Sequence, residues 1–299
     1  MGASRINHLT VVGNCQAPVL AKLIKGCSLP EYEINSFILH RDSQDKLDTL
    51  VQHQKSIILA VPFNSVKGNP SLSWQKLSQR YPESRIHMIS NIYFEGYHPF
   101  WGYFYNSKAK KLYPDWDDYI NYWIVSQYLR NSTKDLSFYS SVDVLLDRNI
   151  YEAVWFRSQA ELSKRESESA SITNISSMLD ISVVEHEKLF WTCNHPTRQI
   201  FNSMVIQILE FLSFDQTHAT KSFSSYEFLS NTRLPSYSEL SSTFNSSSSL
   251  PNYIFKGVSY SWEELVRKHI DFLSKQSFED IEYSLNHYLA IRPELQLLR

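Results

Sequence analysis

The sequence predicts an α/β protein with a parallel sheet at its N-terminal end and a mainly helical remainder. Short apolar, β-branched runs alternate with helix-spaced apolar residues up to about residue 90, an order that implies parallel strands joined by right-handed crossovers. After about Tyr93 the segments lengthen and take the helical period. The chain has 299 residues, 42% hydrophobic and 14% aromatic, enough for a sizeable core. The expected division is a parallel α/β subdomain over 1–95 and a mainly helical part over 96–299, packed as one unit with the first.

Taken in order, Ile6 to Val12 is an apolar strand that stops at Gly13. Val19, Leu20, Leu23 and Ile24 then recur at helical spacing, with Gly26 as the expected C-cap. Glu33 to Leu39 is the second strand, and Leu47, Leu50 and Val51 mark a short helix. Ile57 to Val61 is continuously apolar, as a strand covered on both faces would be. Trp74 and Leu77 predict a helix capped by Ser73, and Arg85 to Ile89 the fourth strand. Further on, Ile120, Trp123, Ile124 and Tyr128 share one helical face, and Tyr151, Val154 and Trp155 begin another. The strongest helix starts near Thr197, with Ile200, Phe201, Met204, Val205, Ile208 and Leu209 on one side. A Ser-rich loop is expected near 222–250. Ser261 and Glu264 have capping-box spacing before a helix, and a last helix begins near Ser277.

Net charge is -2 and no segment clusters Lys and Arg, which argues against nucleic acid as a partner. Nothing approaches the apolar run that a membrane span needs. The N-terminal apolar run is too short for a signal peptide, and Ile6 stands where a myristoylation motif wants Ser or Thr. Three cysteines without Cys-x-x-Cys spacing fit a reducing compartment, so the expected location is cytoplasmic.

Gly13-Asn14-Cys15-Gln16 falls between the first strand and first helix, the carboxyl edge of a parallel sheet, where open α/β proteins hold ligands. A thiol facing a helix N-terminus ionises more readily than a free one. Pro18 suits the first helical turn, and Gly13 is expected to allow a sharp turn and a close ligand approach. Cys27 and Cys193 lack such surroundings and read as inert core. Two histidines sit in His-Pro turns: Gly96-Tyr97-His98-Pro99 after the fourth strand, and Asn194-His195-Pro196-Thr197 before the strongest helix. A thiol and an imidazole within reach make a nucleophile–base pair. A metal site of Cys15 with His40, His98 or His195 has no ligand spacing to support it, so none is expected.

Together, Val11-Val12-Gly13-Asn14-Cys15-Gln16-Ala17, Asn91 to Pro99 and Asn194-His195-Pro196-Thr197 resemble, in that order, the WcbI family of polysaccharide-biosynthesis enzymes. Arg165-Glu166 and Leu234-Pro235-Ser236-Tyr237 look similar too, so the resemblance runs from about residue 6 to 270. It implies a Rossmann/SGNH-like N-terminal subdomain, a helical part cradling the pocket, and coenzyme A or acetyl-coenzyme A as a substrate held beside Cys15. The Gly-Asn-Cys turn also resembles the Gly-Asp-Ser turn of SGNH esterases, with thiol for hydroxyl. The Ser-rich stretch Ser241 to Ser249 matches nothing in the family pattern.

The expected reaction is acyl (acetyl) transfer from coenzyme A to a sugar hydroxyl in capsular or other surface polysaccharide biosynthesis. Cys15, His195 and His98 are the expected catalytic residues. Gly13, Asn14, Gln16, Tyr97, Asn194 and Arg198 are expected around the cofactor, with the helix start near Arg198 meeting its phosphates. The acyl donor and a sugar or glycan acceptor are the partners, with other capsule-assembly proteins possible. Two alternatives stay open: a thiol-dependent ester or thioester hydrolase in the same pocket, and a non-catalytic ligand-binding partner in a glycan-assembly complex.

Overall fold

A computed structural model describes residues 7–51, 56–66, 72–131, 135–139, 147–181, 188–214, 227–237, 239–240 and 252–299. The expected Ser-rich loop falls largely outside them, at 221–226 and 241–251. In chain order the elements open with β1 (Asn7–Gly13), α1 (Gln16–Gly26), β2 (Tyr32–Ile38), α2 (Gln44–Val51), β3 (Ile57–Ala60), α3 (Leu77–Arg80) and β4 (Arg85–Met88). Short strands β5 (Trp101–Gly102), β6 (Phe104–Tyr105), β7 (Lys111–Leu112) and β8 (Ile120–Asn121) follow, then α4 (Tyr122–Asn131) and α5 (Arg148–Glu168). The rest is β9 (Phe190–Thr192), β10 (His195–Pro196), α6 (Arg198–Phe211), β11 (Tyr253–Phe255), β12 (Val258–Tyr260), α7 (Trp262–Leu273) and α8 (Phe278–Ala290).

The described chain forms two compact units. The first runs to Ile92 and takes in Ala160–Asp180 and Pro196–Phe228; the second comprises Tyr93–Gln159, Ile181–His195 and Leu229–Arg299.

In the first unit four parallel strands stand in the order β2-β1-β3-β4. β1 is central, and Leu9, Thr10, Val11 and Val12 are all fully buried, so both of its faces are covered. α1 buries Ala17, Leu20, Leu23 and Ile24 and packs on β1, β2 and α6. Its expected glycine cap is absent: Gly26 is still helical, and the left-handed residue that ends the turn is Ser28 (φ 56°). The helix expected after Ser73 is only a 3-10 turn (Trp74–Lys76) leading into the one-turn α3, and Ser73 makes no capping bond. Leu77 alone is buried there, too little apolar surface to hold a longer helix. α6 matches its pattern, burying Ile200, Phe201, Met204, Val205, Ile208 and Leu209.

The second unit is built around α4, α7 and α8. Tyr122 and Tyr288 stack at 3.7 Å in its core. Ser261 and Glu264 form a full capping box on α7, and Ser277 caps α8 by accepting from the N–H of Asp280. A buried ion cluster ties the loop after Tyr93 to the chain end: Glu95 accepts from Arg292 and, at 2.6 Å, from Arg157. Burial pushes Glu95 up, but the two guanidiniums outweigh it and hold the carboxyl below its usual range.

Candidate functional site

β1 delivers the chain to the carboxyl edge of the sheet at Gly13, and α1 leaves from Gln16, so Asn14 and Cys15 form the whole turn. Asn14 shapes it. Its Oδ1 accepts the N–H of Gln16 at 2.9 Å, and its carbonyl accepts that of Ala17 at 3.1 Å. The Asn14 amide Nδ2 points to Asn91 Oδ1 at 3.4 Å. Gln16 is 1% exposed, and its Nε2 donates to the Ile92 carbonyl at 2.7 Å. Gln16, expected beside the cofactor, clamps the first helix to the segment following β4. Cys15 is half-buried at the head of α1, whose first turn carries no acidic residue. The positive end of a helix favours a thiolate placed at its head.

The backbone of the turn does not require the glycine at Gly13. Its φ lies outside the left-handed region, and a Cβ would meet Ala17 and Val61 at 3.4 Å, an ordinary contact. The turn is set by the hydrogen bonds that Asn14 accepts from Gln16 and Ala17.

Asn91 and Ile92 are in turn fixed from behind. Ser90 donates to the buried carboxylate of Glu166 and contacts Thr173 Oγ1 at 2.8 Å, while the Ser90 N–H bonds the same hydroxyl at 2.8 Å. Glu166 also accepts the N–H groups of Ile175 (2.8 Å) and Ser176 (3.2 Å). All these residues belong to the first unit. Asn91 and Glu166 lay in segments the sequence had marked, but with no role attached. Their only advance signal was polarity, at a strand end for Asn91 and near a helix end for Glu166.

Arg198 begins α6, also in the first unit, and its N–H donates to Glu227 at 3.1 Å, with the guanidinium 3.9 Å from the same carboxylate. A protein carboxylate thus already occupies the helix start that was expected to meet a phosphate.

Tyr97, His98, Asn194 and His195 lie together in the second unit. Phe94 N–H donates to the Cys193 carbonyl at 2.6 Å, which sets the two His-Pro turns side by side. The Tyr97 hydroxyl accepts from Leu189 N–H at 3.2 Å. Asn194 is held by Tyr119, by Thr192 (3.1 Å) and by Tyr103 (3.0 Å), so its amide serves the packing of the turn. His98 is buried; the carbonyls of Phe190 and Pro235 face its ring, but neither ring nitrogen meets hydrogen-bond geometry with them. Burial, with Lys188 adding repulsion, lowers it to about 3. His195 is half-buried; burial lowers it to about 4, against a weak pull from Asp118. Its Nδ1 has no partner among the described residues. Both rings are neutral near pH 7, and of the two His195 is the one with an open side. Cys193 is sealed, and burial, then Glu95, raise its thiol to about 12. Cys27 is equally buried, its Sγ bonded to the Leu23 carbonyl at 3.3 Å.

Among the described residues no group of three or more His, Cys, Asp or Glu side chains gathers to hold a metal, and no helix is long and apolar enough to cross a membrane.

Sheet order and thiol turn define the class: a mixed α/β protein with a cysteine where its central parallel strand gives way to the first helix. Residues 8–217 match the model of the polysaccharide biosynthesis enzyme WcbI. The chain belongs to that family of polysaccharide-biosynthesis enzymes. A solved structure of WcbI is similar over 97% of this chain and 97% of its own, with a TM-score of 0.79 at 18% identity. That structure is described as the native protein without a disulfide bond between coenzyme A and one of its cysteines. No curated protein sequence matches the chain.

Proposed function

We propose that the protein transfers an acyl group, acetyl foremost, from coenzyme A to a sugar hydroxyl during assembly of a capsular or other surface polysaccharide in the cytoplasm. The observation that carries the reading is the half-exposed Cys15 thiol at the head of α1, on the carboxyl edge of the sheet. Its support from outside is the pairing of coenzyme A with a cysteine in the description of the similar WcbI structure.

In the covalent route the Cys15 sulfur attacks the thioester carbonyl. The bond to the coenzyme A sulfur breaks, and that thiolate leaves and takes up a proton. The sugar hydroxyl then attacks the new thioester and gives its proton to a general base, and the acyl bond to the Cys15 sulfur breaks to return the thiolate. In the direct route the hydroxyl attacks the bound thioester, which Cys15 orients; the acyl–sulfur bond breaks and coenzyme A leaves as its thiol. The Asn14 amide, only loosely engaged by Asn91, is the side-chain donor next to the thiol for the developing oxyanion. Gln16, whose Nε2 donates to the Ile92 carbonyl, positions that turn.

The test is release of free coenzyme A from acetyl-coenzyme A, with and without candidate sugars. Release that rises with an acceptor and is lost in Cys15→Ala supports the reading, and a burst without acceptor marks the covalent route. Release undiminished in Cys15→Ala would overturn it, and release indifferent to every sugar would make the protein a thioester hydrolase.

A further inference from the structure

The second unit carries a groove that neither the thiol turn nor the His-Pro turns use. It runs along the outer side of α7, where two cavities of about 450 Å³ and about 210 Å³ share Arg267 and Asp271. From Arg267 to the helix end at Leu273 the axis advances roughly 9 Å, about the length of two sugar rings.

Three features of its lining speak to ligand chemistry. Tyr113, on the loop after β7, is 60% exposed, and Phe272 stands partly open on α7. An exposed aromatic face is the surface on which the C–H face of a pyranose stacks. Trp116 is 5% exposed and backs the groove, edge to face with Phe272 at 6.0 Å, which holds that half-open ring in place. The charges nearly cancel. Arg267, Lys268 and Lys275 line the groove with Asp115 and Asp271, and Lys275 pairs with Asp271 at 2.7 Å, Arg267 with Glu263 at 2.6 Å. A balanced set of donors and acceptors suits uncharged hydroxyls and gives a polyanion little net attraction.

We propose that this groove is a carbohydrate subsite that holds a neutral oligosaccharide segment of the glycan on which the enzyme works. The inference rests on the chain's place in polysaccharide biosynthesis and not on acyl transfer, so the two can fail separately.

Saturation-transfer NMR on the full chain tests it, with maltotriose, cellotriose and tri-N-acetylchitotriose as neutral probes and a heparin tetrasaccharide as the anionic one. Transfer to ring protons of at least one neutral probe is expected. It should drop about fivefold in Tyr113→Ala, the worth of one stacked ring, fall also in Asp115→Asn, and persist in Cys15→Ser. Tyr113 and Asp115 are both exposed, so neither variant threatens the fold. No transfer to any neutral probe, transfer unchanged in Tyr113→Ala, or transfer to the heparin probe alone would each overturn the proposal.

Discussion

Replacing Glu166 with alanine removes one acceptor from three buried donors at once. The carboxylate is 7% exposed and takes the Ser90 hydroxyl together with the N–H groups of Ile175 and Ser176. A buried donor left unmet costs about 1–3 kcal/mol. The two backbone N–H groups lose the carboxylate at about 1.5 kcal/mol each. Ser90 can turn to the Thr173 carbonyl at 3.0 Å, which brings its share below about 1 kcal/mol. The expected loss is therefore about 3–4 kcal/mol, with Glu166→Gln near half of that because one carbonyl oxygen remains. Urea unfolding followed by circular dichroism measures it, and an unchanged m-value would show that the same structure is being lost. A second readout follows from connectivity: Ser90 precedes Asn91 and Ile92, which hold Asn14 and Gln16. Iodoacetamide labelling of Cys15 in the native Glu166→Gln protein should change rate, while Cys27 and Cys193 stay unlabelled. A Glu166→Ala protein within about 1 kcal/mol of wild type would refute the reasoning.

Acid should destabilise the fold through its buried histidines. His98 and His269 are lowered to about 3 and His195 to about 4, all chiefly by burial. Their stabilising share is complete above the unfolded value of about 6.5 and is lost as pH falls toward the folded values, because the unfolded chain takes up protons first. Each contributes about 2 kcal/mol between pH 8 and pH 5; unfolding free energy that stays flat across that range would contradict this. Gly96→Ala should cost about 1–3 kcal/mol, since a Cβ would lie 2.6 Å from the Phe94 ring and 2.7 Å from Trp155. Gly13→Ala, with its nearest neighbours at 3.4 Å, should stay within about 1 kcal/mol. Thermal melts of both variants check the contrast, which fails if Gly13→Ala is the worse of the two.

What could be read from the sequence follows a physical divide. Elements set by apolar period were legible: β1, β3, α6 and the capped α7 stand where their patterns placed them, within a residue or two. Elements resting on a single cue were not. Ser73 heads no proper helix, because too little apolar surface follows it, and Gly26 is the last residue of α1 and not its left-handed cap, a place that Ser28 takes. The site divides similarly. The strand–helix junction at Cys15 could be read because topology alone puts it at the sheet's edge. The assignments of Gln16 and Arg198 turned on partners far along the chain, Ile92 and Glu227, which no local spacing announces. Likewise His98 and His195 look alike as His-Pro turns, and only burial separates them.

The most direct test of the thiol's role is exchange with coenzyme A disulfide, followed by peptide mapping. The Cys15 thiolate should attack one sulfur, release one molecule of coenzyme A as thiol, and keep the other in a mixed disulfide found on the Cys15 peptide alone. Acetyl-coenzyme A present in excess should slow the labelling by competing for the same place. An adduct on Cys27 or Cys193, or none on Cys15 under conditions where small thiol reagents reach it, would contradict the account.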